Sequence, residues 1–434
     1  MRIEIASLTN WKEEVKEVEK ANNNKPAFRW VILACLAMYP FLALAPQVAP
    51  AVLLPDIMKD MNIGISSAGL IIMIGTVMCG VCMFVGAYIE SALGSRKALI
   101  LGIWLLALGN GVIALAPQFA VLILGRILCG TGWGICISCG NTLIYQWFEG
   151  KEQAYVITLI NLVNPAAGAL GATVAIPLSA AVGGWQKMYF VFAAVGVAVA
   201  IFWTIFIKPR PEVVAAIAAM KAQQAENPSA VKQKSPIVRA LAYKQFWVLM
   251  VCGILVNMAT SAVSSYLPTW VTTEVGLSGE TAASISATLQ VAGAIGTIVS
   301  GYIIAQIGRR KPFWLLGVGA FSVCFFGLTF MTSGLVIGIL AGLAQGAYYF
   351  VPNSQSLMVM ETPNPPDPTM ISASFALCYG VGQIFSIFNS SIFGALSGSV
   401  GMTMALRVFA VIPLVAFVIG FLLLRETGAH AKQK

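Results

Sequence analysis

Arg126 is the one cation that falls well inside an apolar stretch of this 434-residue chain. Its guanidinium stays charged at any physiological pH, so in hydrocarbon it needs an anion, backbone carbonyls or water. A carboxylate on a bound solute would satisfy it. Polar and aromatic groups at helical intervals mark faces that could surround such a solute. Gln345, Tyr348, Tyr349 and Asn353 fall at i, i+3, i+4 and i+8; Phe375, Tyr379 and Gln383 fall at i, i+4 and i+8, a spacing that Tyr39, Ala43 and Gln47 repeat. Trp133 and Asn257 join this candidate substrate set, with Ser261, Ser264 and Gln290 as weaker polar points. Tyrosine, tryptophan and amide groups around one cation suit a solute with an anionic head and an apolar or aromatic body. The competing reading is hydrogen bonding between helices, common for Asn, Gln and Ser in membranes.

Other chemistry has few residues to work with. All 17 acids lie outside the apolar stretches or at their ends, and the one histidine, His430, is in the tail. No mid-membrane carboxylate or imidazole is placed to carry a proton, although Asp56 or Glu90 at a gate could. This opposes expulsion of cationic drugs by a buried acid. It also opposes an intramembrane enzyme, and no cofactor or metal is expected. Cys136-Ile-Ser-Cys139 in mid-helix reads as packing, and the Gly130, Gly132, Gly134 run lacks the Lys-Ser/Thr of a phosphate loop. All nine cysteines sit in apolar stretches and are expected to be free.

The elements that must position these groups are membrane helices. Hydrophobic residues make up 58% and charged residues 10% of the chain, against about 25% charge in soluble proteins. Turn and charge punctuation divides it into twelve apolar stretches near 30–55, 64–88, 98–116, 119–146, 153–181, 187–207, 245–272, 280–304, 313–331, 334–359, 370–397 and 403–424. With both termini on the cytoplasmic side, 22 of the 26 Lys and Arg fall inside, leaving Lys59, Arg126, Lys187 and Arg407. The net charge of +9 is thus a topology signal, dispersed over short loops and unsuited to nucleic acid. The expected organisation is a cytoplasmic segment 1–29 with an interfacial helix at 7–20, a six-helix half 30–207, a linker 208–244, a second half 245–425 and a tail 426–434.

The halves repeat. Gly86-Ala-Tyr-Ile-Glu90-Ser-Ala-Leu-Gly94-Ser-Arg96-Lys corresponds to Gly301-Tyr-Ile-Ile-Ala-Gln-Ile-Gly308-Arg309-Arg310-Lys, and similar shifts lay Trp30 over Trp247, Cys35 over Cys252 and Gly130 over Gly346. Two related helical halves are the plan of a secondary transporter with its site between them. The two loops resemble the signature of the major facilitator superfamily, Gly-x-x-x-Asp-Arg-x-Gly-Arg-Arg, and Arg126-Ile-Leu-Cys-Gly130-Thr-Gly132 is similar to the family's Arg-x-x-x-Gly-x-Gly. The resemblance covers about residues 28–425 and implies the all-α fold of twelve transmembrane helices in two pseudo-symmetric halves. It also implies gating roles for Gly86, Glu90, Gly94, Arg96, Gly301, Gly308, Arg309 and Arg310, and a structural alternative for Arg126 on carbonyls of the first helix. Glu90 replaces the family's Asp, Ser91 its Arg, and Ala305 and Gln306 stand at both places in the second loop.

The expected function is alternating-access transport of a small organic anion, such as a carboxylate, across the cytoplasmic membrane, exchanged for a counter-substrate or moved with protons. The chain is expected to be monomeric in the bilayer. The rivals are an exporter of hydrophobic drugs or metabolites, and a non-transporting receptor built on the same fold.

Overall fold

The computed structural model describes residues 28–210, 235–362, 367 and 369–428. The expected helix at 7–20, most of the linker, and His430 lie outside the described residues, as does the side chain of Ser264. The spans are Phe28–Val52, Ile65–Leu93, Ser95–Ala114, Phe119–Trp147, Gly150–Val182, Trp185–Phe206, Lys244–Thr273, Gly279–Ile307, Lys311–Leu328, Gly334–Met360, a broken eleventh, and Met402–Leu423. Eleven of these, counting Gly334–Met360 across its turn at Tyr349, are long and apolar enough to cross a bilayer.

Proline explains two departures from the expected boundaries. The first apolar stretch does not run to Pro55: span one stops at Val52, and Pro55 begins a separate helix, Leu54–Met61, at the position that tolerates a missing N–H. Asp60 on this short helix accepts a hydrogen bond from the Trp185 indole at 2.9 Å. Pro352 removes the donor for the Tyr348 carbonyl, and span ten accordingly changes course between Tyr348 and Phe350. Span eleven breaks without proline, into Ile371–Phe375, a π turn at Ala376–Gly380, Val381–Phe385 and Ile387–Val400. Such turns inside a helix are frequent at functional sites.

Large apolar side chains such as Val195, Ile201, Leu335 and Phe421 point outward, toward what would be lipid, while small residues fill the contacts between helices. A Cβ on Gly130 would run into the Gly75 carbonyl, and one on Gly296 into the Gly346 backbone. The Gly130 and Gly346 pair of the sequence repeat therefore marks two equivalent close crossings, span four on span two and span ten on span eight. Eight cysteines are buried and Cys324 is half-buried, all unpaired. Spans one to six pack chiefly on one another, as do seven to twelve; the main crossing contacts run between span five and spans eight and ten, and between span eleven and spans two and four.

Candidate substrate site

A cavity of about 830 Å³ lies between the two sets of six spans. Seven of the expected residues line it: Tyr39, Trp133, Asn257, Tyr348, Tyr349, Tyr379 and Gln383. The remaining polar lining comes from Asn141, Asn161, Asn164, Thr173, Gln290, Gln355 and Ser356. The lining contains no acid, no histidine and no cation among the described residues. It is a neutral surface of amides and aromatic rings.

Three expected residues are turned elsewhere. Arg126 is 1% exposed and donates to the carbonyls of Ile71 at 2.9 Å, Pro46 at 3.0 Å and Gln47 at 3.2 Å. This corrects its placement in the substrate set. The cause is in span one: Pro50 has no N–H, so the Pro46 carbonyl loses its helical donor and takes Arg126 and the Tyr189 hydroxyl, 2.8 Å away, instead. Gln47 turns to span two, donating to Thr76 at 3.4 Å and packing on Gly75. Gln345 packs beside Tyr349 on Gly293, its Oε1 buried without a partner among the described residues.

Within the cavity wall, aromatic groups are held firmly. The Tyr379 ring stacks on Phe375 with centroids 5.5 Å apart, and its hydroxyl shares a 3.0 Å hydrogen bond with Ser356. Tyr39 meets Trp203 edge to face at 6.3 Å. The Trp133 indole N–H is buried with no acceptor among the described residues, a donor left over at the cavity wall. Sequence reading missed Asn141, Asn161 and Asn164, although signals existed. Trp133, Ile137 and Asn141 fall at i, i+4 and i+8, and Asn161, Asn164, Gly168 and Ala172 form one stripe of span five.

One end of the cavity is sealed, the end that carries the Gly94 and Gly308 loops. Lys151 donates to Gln306 at 3.0 Å, Gln306 to the Tyr155 hydroxyl at 3.0 Å, and Asn161 to Asn353 at 2.8 Å. Thr158 presses on the backbone at Gly301, where no side chain would fit. Gly86 likewise admits span four, meeting Ser138 and Ile135. Glu90 accepts from Thr142 at 3.3 Å and faces Ser372 of span eleven. Gly94 and Gly308 both turn with positive φ, 86° and 70°, as glycine allows. Arg96 donates to the Thr204 carbonyl at 3.0 Å, Arg309 is exposed, and Arg310 is buried against Glu361 at 2.9 Å.

The family model described as Major Facilitator Superfamily matches residues 32–387, and the chain belongs to that family. The chain is 24% identical to a hexuronate transporter of Bacillus subtilis over 59% of this chain and 60% of that one, so the match spans less than two thirds of that relative. It is 23% identical to a gallate transporter of Pseudomonas putida over 94% of each chain. Its fold is similar to the crystal structure of the Escherichia coli fucose:proton symporter, with a TM-score of 0.71 and 16% identity over 91% of this chain and 98% of that one. The protein is a multi-pass membrane protein with the fold of this superfamily.

Proposed function

We propose that the protein is a secondary transporter of small organic acids in the cytoplasmic membrane. The units 30–207 and 245–425 rock about the central cavity, driven by exchange with a counter-substrate or by protons. The observation that carries this reading is the amide- and aromatic-lined cavity between the two sets of spans, sealed at one end. The relatives that carry a hexuronate and gallate support the substrate class, because both are acids with several hydroxyls. The concentration of Lys and Arg on the side of the sealed end supports reading that end and both termini as cytoplasmic, and this state as outward-facing.

The acid group in this reading is held by neutral donors. A carboxylate away from water needs several hydrogen bonds. The Trp133 indole and the amides of Asn141, Asn164, Asn257 and Gln383 can supply them, and the hydroxyls of a sugar acid match the remaining amide and tyrosine groups. A ring could lie against the Phe375 and Tyr379 stack. A second reading, an uncharged polyhydroxylated solute, is favoured by the lack of charge in the described lining.

Thermal unfolding of detergent-purified protein separates these readings, since a ligand at 100 times its Kd stabilises the state it binds by about 2.7 kcal/mol. Hexuronates and hydroxybenzoates are expected to raise the melting temperature. Stabilisation by neutral sugars alone would install the second reading, and stabilisation by lipophilic cations alone would point to an exporter.

A further inference from the structure

We propose that Asn161 is the residue through which a bound solute unfastens the sealed end; the inference rests on the transport reading above and specifies how its site is coupled to its gate. Lys151, Tyr155, Thr158 and Asn161 follow one another at intervals of four, three and three along span five, so they share a face. That face meets spans eight and ten through Gln306, the Gly301 backbone and Asn353. Of these four, Asn161 alone lines the cavity. It is therefore the rung that a solute can touch.

The two partners of this rung are held very differently. Asn353 is 2% exposed, and its amide nitrogen donates to the Thr297 carbonyl at 3.1 Å and the Ser300 hydroxyl at 2.8 Å. Its Oδ1 is fixed in place and points at Asn161. Asn161 has its amide nitrogen on Asn353, while its Oδ1 takes no donor from the described residues. Pro165, four residues on, also deprives the Asn161 main-chain carbonyl of its helical N–H. Asn161 thus offers two acceptors and one movable donor to a solute.

A solute bearing a hydroxyl beside a second oxygen, the arrangement of a hydroxy acid or a sugar acid, can donate to one acceptor and draw the amide N–H to itself. Asn353 Oδ1 then remains buried with no donor, an unfavourable state relieved when span five parts from spans eight and ten and water enters. Binding and opening of the sealed end become one linked equilibrium.

The test reads the distance between spin labels at positions 97 and 309, on the two loops of the sealed end. Without ligand, Asn161→Ala and Asn353→Ala are each expected to raise the separated population about two- to tenfold, and the double variant no further than the larger single effect. With galacturonate as the probe, the wild type is expected to shift toward separation. Asn161→Ala should still be thermally stabilised by the probe yet show no shift. Ligand-free populations equal to the wild type in both single variants would overturn the proposal, as would an undiminished probe-induced shift in Asn161→Ala. Galacturonate that fails to stabilise the wild type counts against the acid-transport reading, while the ligand-free arm still decides whether this rung fastens the gate.

Discussion

The loops at Gly94 and Gly308 have related sequences and each turns at a glycine of positive φ, yet their charged groups are used in opposite ways. In the second, Arg310 is closed into its own half: two of its nitrogens reach Glu361 at 2.9 and 3.1 Å, and a third reaches the Ile304 carbonyl at 3.0 Å. Glu426 caps span nine by accepting from the backbone N–H groups of Arg310 and Lys311 at 2.7 and 3.1 Å. Thr427 joins the network through Glu361 at 2.8 Å. In the first, Arg96 is exposed and, among the described residues, reaches a main-chain carbonyl alone, while Glu90 faces span eleven of the other half. Gln306, at the second loop's equivalent of Ser91, also looks across the boundary, to Lys151 and Tyr155. A duplicated sequence has thus divided its work: one copy is a fixed clamp, and the contacts that must separate when the sealed end opens include no ion pair among the described residues.

Removing the cations tests that division. Arg126→Ala sets the upper limit, because it strips donors from buried carbonyls of spans one and two. We expect a loss on the order of 3–5 kcal/mol and poor recovery of folded protein by size-exclusion chromatography. Normal recovery and melting would show that its carbonyl contacts are dispensable. Arg310→Ala should cost about 2–3 kcal/mol, below the fully buried case because the Glu361 side chain is 20% exposed. Gly94→Ala, at φ 86° and ψ 159° where essentially only glycine is tolerated, should cost about 2–3 kcal/mol, and Gly308→Ala, in the left-handed helical region at φ 70° and ψ 12°, about 1–2 kcal/mol. Arg96→Ala should change stability by less than about 0.5 kcal/mol. Equal melting temperatures for Arg96→Ala and Arg310→Ala would erase the proposed difference between the loops.

The architecture was legible because lipid imposes a coarse rule that composition reveals: about twenty apolar residues per crossing and positive charge concentrated in loops on one side. The breaks were less legible. Pro55 and Pro352 are visible in the sequence, but whether a proline bends, breaks or starts a helix depends on which neighbour takes the orphaned carbonyl. The same dependence explains Arg126. Its type and depth announced a buried cation, while its actual partner was created by Pro50 on another helix. Seven of the ten expected substrate residues line the cavity because helical spacing groups them on one face. Gln47 and Gln345 share those faces yet rotate onto Gly75 and Gly293, a choice set by packing between helices. The Asn141, Asn161 and Asn164 wall was passed over because isolated amides in membranes are so often structural.

The most direct test of the account is uptake of radiolabelled galacturonate into liposomes holding the wild type, Asn257→Ala or Gln383→Ala. Both residues line the neutral cavity from the second set of spans. The account predicts saturable uptake by the wild type and at least about a tenfold fall in kcat/KM in each variant at equal reconstituted protein, the loss of one to two hydrogen bonds to a charged group. Uptake by both variants that matches the wild type would contradict the claim that this cavity is the transport site.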